Sequence, residues 1–152
     1  KRMSRMGIHA VTQPIFIKEL GKNFRESLPD RFLNFCYPFR SMIVNRINVA
    51  FSTDAPVVTD LNPLSCIEAS VTREDSENCT IAPNEKISLN EALYCYTLGA
   101  AMASCVDHLQ GNLIAGKKAD FIVLSASPFK AGPKGLAAIA VEKVWCNGIP
   151  QL

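Results

Sequence analysis

The chain has 152 residues, of which 48% are hydrophobic and 20% are charged. This composition excludes a disordered tail and supplies enough apolar surface for the core of one ordinary domain, or for pieces of two. The 16 basic and 14 acidic side chains leave a net charge of +2, a balance too even to indicate a nucleic-acid partner.

Two strands joined by a helix are predicted in the first third of the chain. Residues 7–16 are strand-like, and Gln13 followed by Pro14 ends this strand because proline cannot donate to a ladder. Residues 17–38 are polar, aromatic and interrupted by prolines, so we predict irregular structure there. A short helix over 40–46 then leads into a second strand over 47–52. A helical crossover of this kind is typical of parallel strands in an α/β layer.

The rest of the chain divides into a helical and a β-rich part. Asn62 followed by Pro63 predicts one helix start, and Ser88 with Glu91 forms a capping box that opens an amphipathic helix to about residue 103. Strands are predicted at 121–124, which we expect to be buried, and at 138–146, with Asn147-Gly148 as a hairpin turn. We therefore expect an α/β part over 1–106 and a small β part over 107–152.

The hydrophobic pattern argues against a membrane span, and the cysteine pattern predicts a reducing compartment. The longest uncharged stretch, 92–106, has 15 residues and is too short to cross a bilayer, and no signal peptide is visible. The six cysteines include no Cys-x-x-Cys pair, which argues against a zinc knuckle. Cys66, Cys95 and Cys105 lie in apolar helical patterns, where free thiols are typically buried. We expect a cytoplasmic protein with no membrane partner.

Asp54 is the most informative candidate residue. It follows the second strand, and a carboxylate at the C-terminal end of a parallel strand lies where α/β barrels place their active sites. There it could bind a metal ion or take a proton from metal-bound water. The alternative is a turn aspartate ahead of Pro56.

Three further residues are candidates for substrate binding. Gln13 ends the first strand, on the same rim as Asp54 if the two strands are parallel. Arg40 and Arg73 could bind a substrate carboxylate through a bidentate fork, although arginines that brace loops are commoner. His9 and His108 lie far apart in the sequence and have no local partner, which argues against a metal site built on them.

Several segments, taken in order, resemble a known family. Residues 11–14 read Val-Thr-Gln-Pro, residues 52–57 read Ser-Thr-Asp-Ala-Pro-Val, and residues 111–124 read Gly-x-Leu-x-x-Gly-Lys-x-Ala-Asp-Phe-x-Val-Leu. Between them stand Asn-Pro-Leu at 62–64, Ala-x-Val-Thr-Arg at 69–73 and Ser-Leu-x-Glu-Ala-Leu-x-x-Tyr-Thr at 88–97. Over nearly the whole chain, this order is similar to that of amidohydrolase family 3, the branch that includes exoenzyme regulatory proteins.

The resemblance implies an α/β fold in which this chain supplies the last two strands and helices of a (β/α)₈ (TIM) barrel and the C-terminal part of a small β-sandwich. It implies that Asp54 binds a divalent metal, zinc in the first instance, and handles the proton of the attacking water. Gln13 and the loop over 55–60, with Pro56, would line the substrate rim. Ser52 stands where the family usually has glycine, and the family's other metal ligands would all lie before Lys1.

The expected function is that of a metal-dependent hydrolase. The complete protein would hydrolyse a carbon–nitrogen bond in a small amide or cyclic amide, while this chain alone would be inactive because one carboxylate cannot hold a catalytic ion. Its partners would be the small-molecule substrate and the N-terminal remainder of the same protein, and self-association is open. We expect Ile8, Val11, Val49 and Phe51 to present apolar faces to that remainder. The alternative is a catalytically dead protein that binds a ligand or partner.

Overall fold

The computed structural model describes residues 1–151, which form an α/β part followed by a small β part. The helices are α1 (Arg2–Arg5), α2 (Ile15–Ser27), α3 (Asp30–Leu33), α4 (Phe39–Val44), α5 (Pro63–Thr72), α6 (Leu89–Tyr96), α7 (Leu98–Ala103) and α8 (Pro128–Ala131), with a 3₁₀ turn over Pro83–Glu85. The strands are β1 (Ala10–Thr12), β2 (Val49–Phe51), β3 (Phe121–Leu124), β4 (Val141–Cys146) and β5 (Ile149–Gln151).

The first two strands form the predicted parallel pair. Ala10 lies opposite Val49 and Thr12 opposite Phe51, so both strands end at the same edge of the sheet. The connection between them contains α2, α3 and α4, as a crossover between parallel strands requires. The expectation of irregular structure over 17–38 is wrong for most of its length, because α2 continues to Ser27. The prolines that prompted it lie beyond this helix, at 29 and 38.

Helix α2 is held by packing that a local pattern does not show. Ile15 and Ile17 are fully buried, and Gly21 faces the loop that follows α5. A Cβ atom on Gly21 would lie 2.5 Å from the Cβ of Asp75, so only glycine allows this close approach.

Both predicted helix starts are confirmed. The Asn62 side chain accepts a hydrogen bond from Leu64 N at 2.9 Å, and Ser88 and Glu91 form a complete capping box at the start of α6. The single helix predicted to residue 103 is instead two helices that meet at Thr97. The Thr97 hydroxyl donates to the carbonyl of Leu93 at 2.7 Å, a bond that competes with the helical ladder.

The β part is a three-stranded antiparallel sheet in the order β3-β4-β5. Asn147 and Gly148 join β4 to β5 with φ angles of 53° and 76°, as the predicted hairpin turn requires. The prediction that β3 is buried is wrong in this chain, since Ile122 is 50% exposed.

One core cluster crosses the predicted boundary at residue 106. It contains residues from α2, α4, β2, α5 and α6, and Leu136 and Ile139 from the β part are buried within it. The expectation that Val49 and Phe51 are exposed is wrong, because they are 1% and 4% exposed in this core. Val11, at 60% exposed, lies on the open side of β1 as expected.

In the described residues 1–151, no helix combines the length and the apolar character that a membrane crossing requires. Cys66 and Cys95 are buried as predicted, whereas Cys105 is exposed just after α7.

Asp75 makes the fold sensitive to acid. Its side chain is 0% exposed and binds Arg25 at 2.7 Å and the backbone N–H groups of Glu77 and Cys79 at 2.9 Å. Burial alone would raise the pKa of this carboxyl, but the hydrogen bonds outweigh it and lower the pKa. A lowered pKa in the folded state stabilises the protein above pH 3.8, the ordinary value, and this stabilisation is lost as the pH falls through the folded-state pKa.

We therefore expect Asp75→Asn to lower the free energy of unfolding by about 2 kcal/mol at pH 7. The deficit should shrink below pH 3.8, where the wild-type carboxylate is itself becoming protonated. Urea denaturation between pH 7 and pH 3 measures both effects. Asp107→Asn is the control, since no side-chain hydrogen bond to Asp107 is found among the described residues. An Asp75→Asn deficit that does not change with pH would contradict this account.

Candidate active site

Asp54 lies where the sequence predicted it, three residues after the end of β2. Its side chain is exposed, and its φ of 60° is in the left-handed region. Its carbonyl accepts a hydrogen bond from Val57 N at 2.9 Å, which closes a turn around the exposed and cis-linked Pro56. The carboxylate is therefore free to bind a cation or accept a proton from a molecule at this edge of the sheet.

Gln13 is bound to the start of the same loop. The Ser52 N–H donates to the carbonyl of Thr12 at 3.0 Å, which extends the strand pairing to the edge. The Gln13 side-chain amide donates to the Ser52 hydroxyl at 3.1 Å. The Ser52 side chain thus has a hydrogen-bond partner within the protein, and Gln13 lies on the same rim as Asp54.

The loop between β2 and α5 is also held near its far end. Val58 is 6% exposed and packs with Ile15 and Cys66. Glu19 on α2 accepts hydrogen bonds from residues 59 and 60. The sequence did not predict this contact of Glu19, because no motif connects a carboxylate on a helix to a loop 40 residues later.

Arg73 is not placed as a substrate-binding residue. Its side chain is fully buried, and the guanidinium donates to the carbonyls of Cys36, Tyr37 and Ile81 at 2.6, 3.0 and 3.1 Å. It also lies 5.0 Å from the ring centre of Phe39. All of these partners belong to the protein itself, so Arg73 braces the core, which corrects the expectation of a substrate contact.

Arg40 lies on α4, ahead of β2 and apart from the Asp54 loop. It is paired with Glu91 at 2.8 Å, at the capped start of α6. Its side chain is about half exposed, which leaves part of the guanidinium open to solvent. The structure does not bring Arg40 together with Gln13, Pro56 and Asp54.

The residues of this chain do not by themselves fit a resident metal ion. Among residues 1–151, no three His, Cys, Asp or Glu side chains are grouped closely enough to hold one. His9 precedes β1 and contacts Asn48, at the opposite end of the strand pair from Asp54. Asp54 could therefore supply one ligand of the three or so that a catalytic divalent ion needs.

The site is an open rim and not a closed pocket in this chain. One cleft of about 510 Å³ lies beside β2 and α6, and another of about 590 Å³ lies between α6, α7 and β3. Asp54 lines neither of them. A substrate at Asp54 would need walls from outside these residues to be shielded from water.

The chain is similar to known proteins over nearly its whole length. Residues 1–150 match the model of the Amidohydrolase family. The chain is 32% identical over 139 residues to Protein LONG AFTER FAR-RED 3 of Arabidopsis thaliana, covering 90% of this chain and 24% of that protein. It is 27% identical over 150 residues to the N-substituted formamide deformylase of Arthrobacter pascens, covering 98% of this chain and 28% of that protein.

A solved structure shows the same fold at lower identity. A metal-dependent hydrolase from Pyrococcus horikoshii superposes with a TM-score of 0.67 and 24% identity, over 78% of this chain and 24% of that one. The chain thus spans about a quarter of the length of the proteins it matches. Because the family model extends over nearly every residue, the chain belongs to the amidohydrolase family, in the family 3 branch that its motifs predicted.

Proposed function

We propose that this chain is the C-terminal portion of a longer, metal-dependent amidohydrolase. In this proposal β1 and β2 are the seventh and eighth strands of a (β/α)₈ barrel, and residues 107–152 are the C-terminal share of a β-sandwich. The observation that carries the proposal is the position of Asp54. It follows the C-terminal end of β2, which is paired in parallel with β1, and Gln13 comes directly after the end of β1.

The proposed reaction is hydrolysis of a carbon–nitrogen bond in a non-peptide amide or cyclic amide. A bound divalent ion, zinc in the first instance, would supply a water molecule of lowered pKa as the nucleophile. Asp54 would be one of the ligands of that ion and would serve as the acceptor of the proton. Gln13 and the exposed Pro56 would line the substrate side of the rim. One relative is the N-substituted formamide deformylase of Arthrobacter pascens, so an N-substituted formamide is the first substrate to test.

The exposed apolar surface of the β part supports a missing partner within the same protein. Phe129 on α8 is 63% exposed, and Val141 and Ile149 in the sheet are 48% and 62% exposed, so these apolar side chains are available for contact with another part of the protein. We propose that the N-terminal remainder of the longer protein covers this apolar surface.

The six free cysteines fit a reducing compartment, and we place the protein in the cytoplasm.

The test uses the longer reading frame that contains this chain. We expect the purified protein to carry about one or two zinc equivalents, the range for this class of site, and to hydrolyse an N-substituted formamide or a cyclic amide. Metal content by elemental analysis should fall in Asp54→Asn. If the wild-type protein binds no metal and hydrolyses neither substrate, it is a catalytically dead member of the family that binds a ligand or partner.

A further inference from the structure

The loop over residues 53–60, here called the Asp54 loop, is attached to the helix that follows the neighbouring strand. It lies outside both strands and helices, so backbone ladders do not hold it. Its attachments instead run to the side chains of Glu19 and Ile15 on α2 and of Cys66 on α5. A displacement of this loop would also move Asp54, because Asp54 lies within it.

Glu19 makes the polar attachment. One carboxylate oxygen, Oε1, accepts from Asp60 N at 2.8 Å and from the Thr59 hydroxyl at 3.1 Å. The other, Oε2, accepts from Thr59 N at 3.1 Å. Both oxygens of one carboxylate are therefore committed to two consecutive residues of the Asp54 loop.

The charge state of Glu19 suits this role. Partial burial would raise the pKa of its carboxyl, but the hydrogen bonds from Asp60 and Thr59 outweigh burial and lower it. Glu19 is thus ionised at neutral pH, when it accepts all three bonds most strongly. Lys18, next to it on α2, lies 3.8 Å from Asp60 and partly balances the two carboxylates.

An apolar attachment lies beside the polar one. Val58 is buried against Ile15 on α2 and Cys66 on α5, so the Asp54 loop cannot lift at residue 58 without exposing this cluster. At the near end, Gln13 is bonded to Ser52. Asp54 lies between these fixed points, in a left-handed conformation that is uncommon for residues other than glycine.

We propose that Glu19 is a positioning residue for the proposed hydrolysis: by binding Thr59 and Asp60 it fixes the Asp54 loop on α2 and so sets the place of the Asp54 carboxylate. This inference rests on the proposed function, because it assigns Glu19 a purpose only if Asp54 takes part in the reaction. Glu19 itself does not touch the substrate.

Glu19→Gln is the sharpest variant, since it preserves the size of the side chain. The carboxamide keeps one acceptor oxygen but turns an N–H donor toward the Thr59 N–H, so one attachment becomes a repulsive contact. Glu26→Gln is the matched control, because Glu26 is an exposed glutamate on the same helix. Both variants are made in the longer protein.

Hydrogen exchange of peptides covering the Asp54 loop tests the attachment without reference to catalysis. In Glu19→Gln the amides of residues 57–60 should exchange about tenfold faster or more, as expected for the loss of a charge-assisted hydrogen bond. Peptides from β1 and β2 should be unchanged, and so should the whole pattern in Glu26→Gln. Unchanged exchange in Glu19→Gln overturns the inference while the proposed function stands.

Steady-state hydrolysis of an N-substituted formamide tests whether the attachment serves Asp54. Well below the melting temperature, we expect kcat of Glu19→Gln to fall about 10- to 100-fold with little change in KM, because a small displacement of a reacting group is costly. In the Asp54→Asn background, Glu19→Gln should add almost nothing, since both changes act through one side chain. A merely structural effect would instead multiply the two losses.

The outcomes separate the two claims. A mobile loop with unchanged kcat, or fully multiplicative effects, overturns the positioning role. If Asp54→Asn hydrolyses its substrate at the wild-type rate, or the wild-type protein binds no metal and hydrolyses neither the formamide nor a cyclic amide, the proposed function fails, and the catalytic purpose of Glu19 fails with it.

Discussion

Asp54→Asn is expected to slow amide hydrolysis by the longer protein about 10³-fold. Asparagine has nearly the same size, but its carboxamide carries no negative charge, binds a divalent cation more weakly and cannot take up a proton. Loss of a general base alone typically costs between about 10² and 10⁴ in rate. The effect should appear in kcat, and the melting temperature should change little, because the Asp54 side chain is exposed.

Asp30→Asn provides the matched control. Asp30 is also an exposed aspartate, but it lies at the start of α3, outside the Asp54 loop. Its hydrolysis rate should stay within about threefold of the wild-type rate, as is usual for surface substitutions. A similarly small effect in Asp54→Asn would mean that Asp54 is a turn residue without a part in the chemistry.

Arg73→Met should have the largest effect on stability, lowering the free energy of unfolding by at least about 3 kcal/mol. The change leaves three carbonyl groups of the protein interior without their donor, those of Cys36, Tyr37 and Ile81. Burial lowers the pKa of Arg73 to about 10, despite the opposing influence of Glu85, so the guanidinium is charged at neutral pH. Its charge strengthens each of the bonds that would be lost.

Two comparisons make this measurement specific to the core contacts. Arg73→Lys keeps the charge but cannot reach three carbonyls from a fixed planar fork, so it should fall between Arg73→Met and the wild type. Arg5→Met removes an exposed arginine of α1 and should change the unfolding free energy by less than about 0.5 kcal/mol. Chemical denaturation of the longer protein gives all three values. An Arg73→Met protein as stable as Arg5→Met would refute the assignment of Arg73 to the core.

Local chemistry made several features predictable from the sequence. Pro14 ends β1 because it has no N–H to donate, and Asn62 caps α5 because its side chain reaches the free N–H of Leu64. The turn of Asn147-Gly148 follows from their tolerance of positive φ angles. The position of Asp54 was predictable in the same way. It required only the end of β2 and a helical crossover that makes the two strands parallel.

Other features depended on partners that are distant in the sequence. Helix α2 was not predicted because it is secured by contacts such as that of Gly21 with Asp75, which no periodicity reveals. Arg73 could equally have faced a substrate, and only its enclosure by carbonyls 8 to 37 residues away decided the matter.

The sequence by itself thus determined where the strands end, how the helices begin and which carboxylate stands at the sheet edge. These depend on hydrogen bonds within a few residues and on the family motifs. Only the tertiary structure decided that Arg73 belongs to the core and that Glu19 holds the Asp54 loop. The physical reason is that a buried charge or a loop anchor is defined by the groups the folded chain brings around it, and Glu19 meets its partners 40 and 41 residues away.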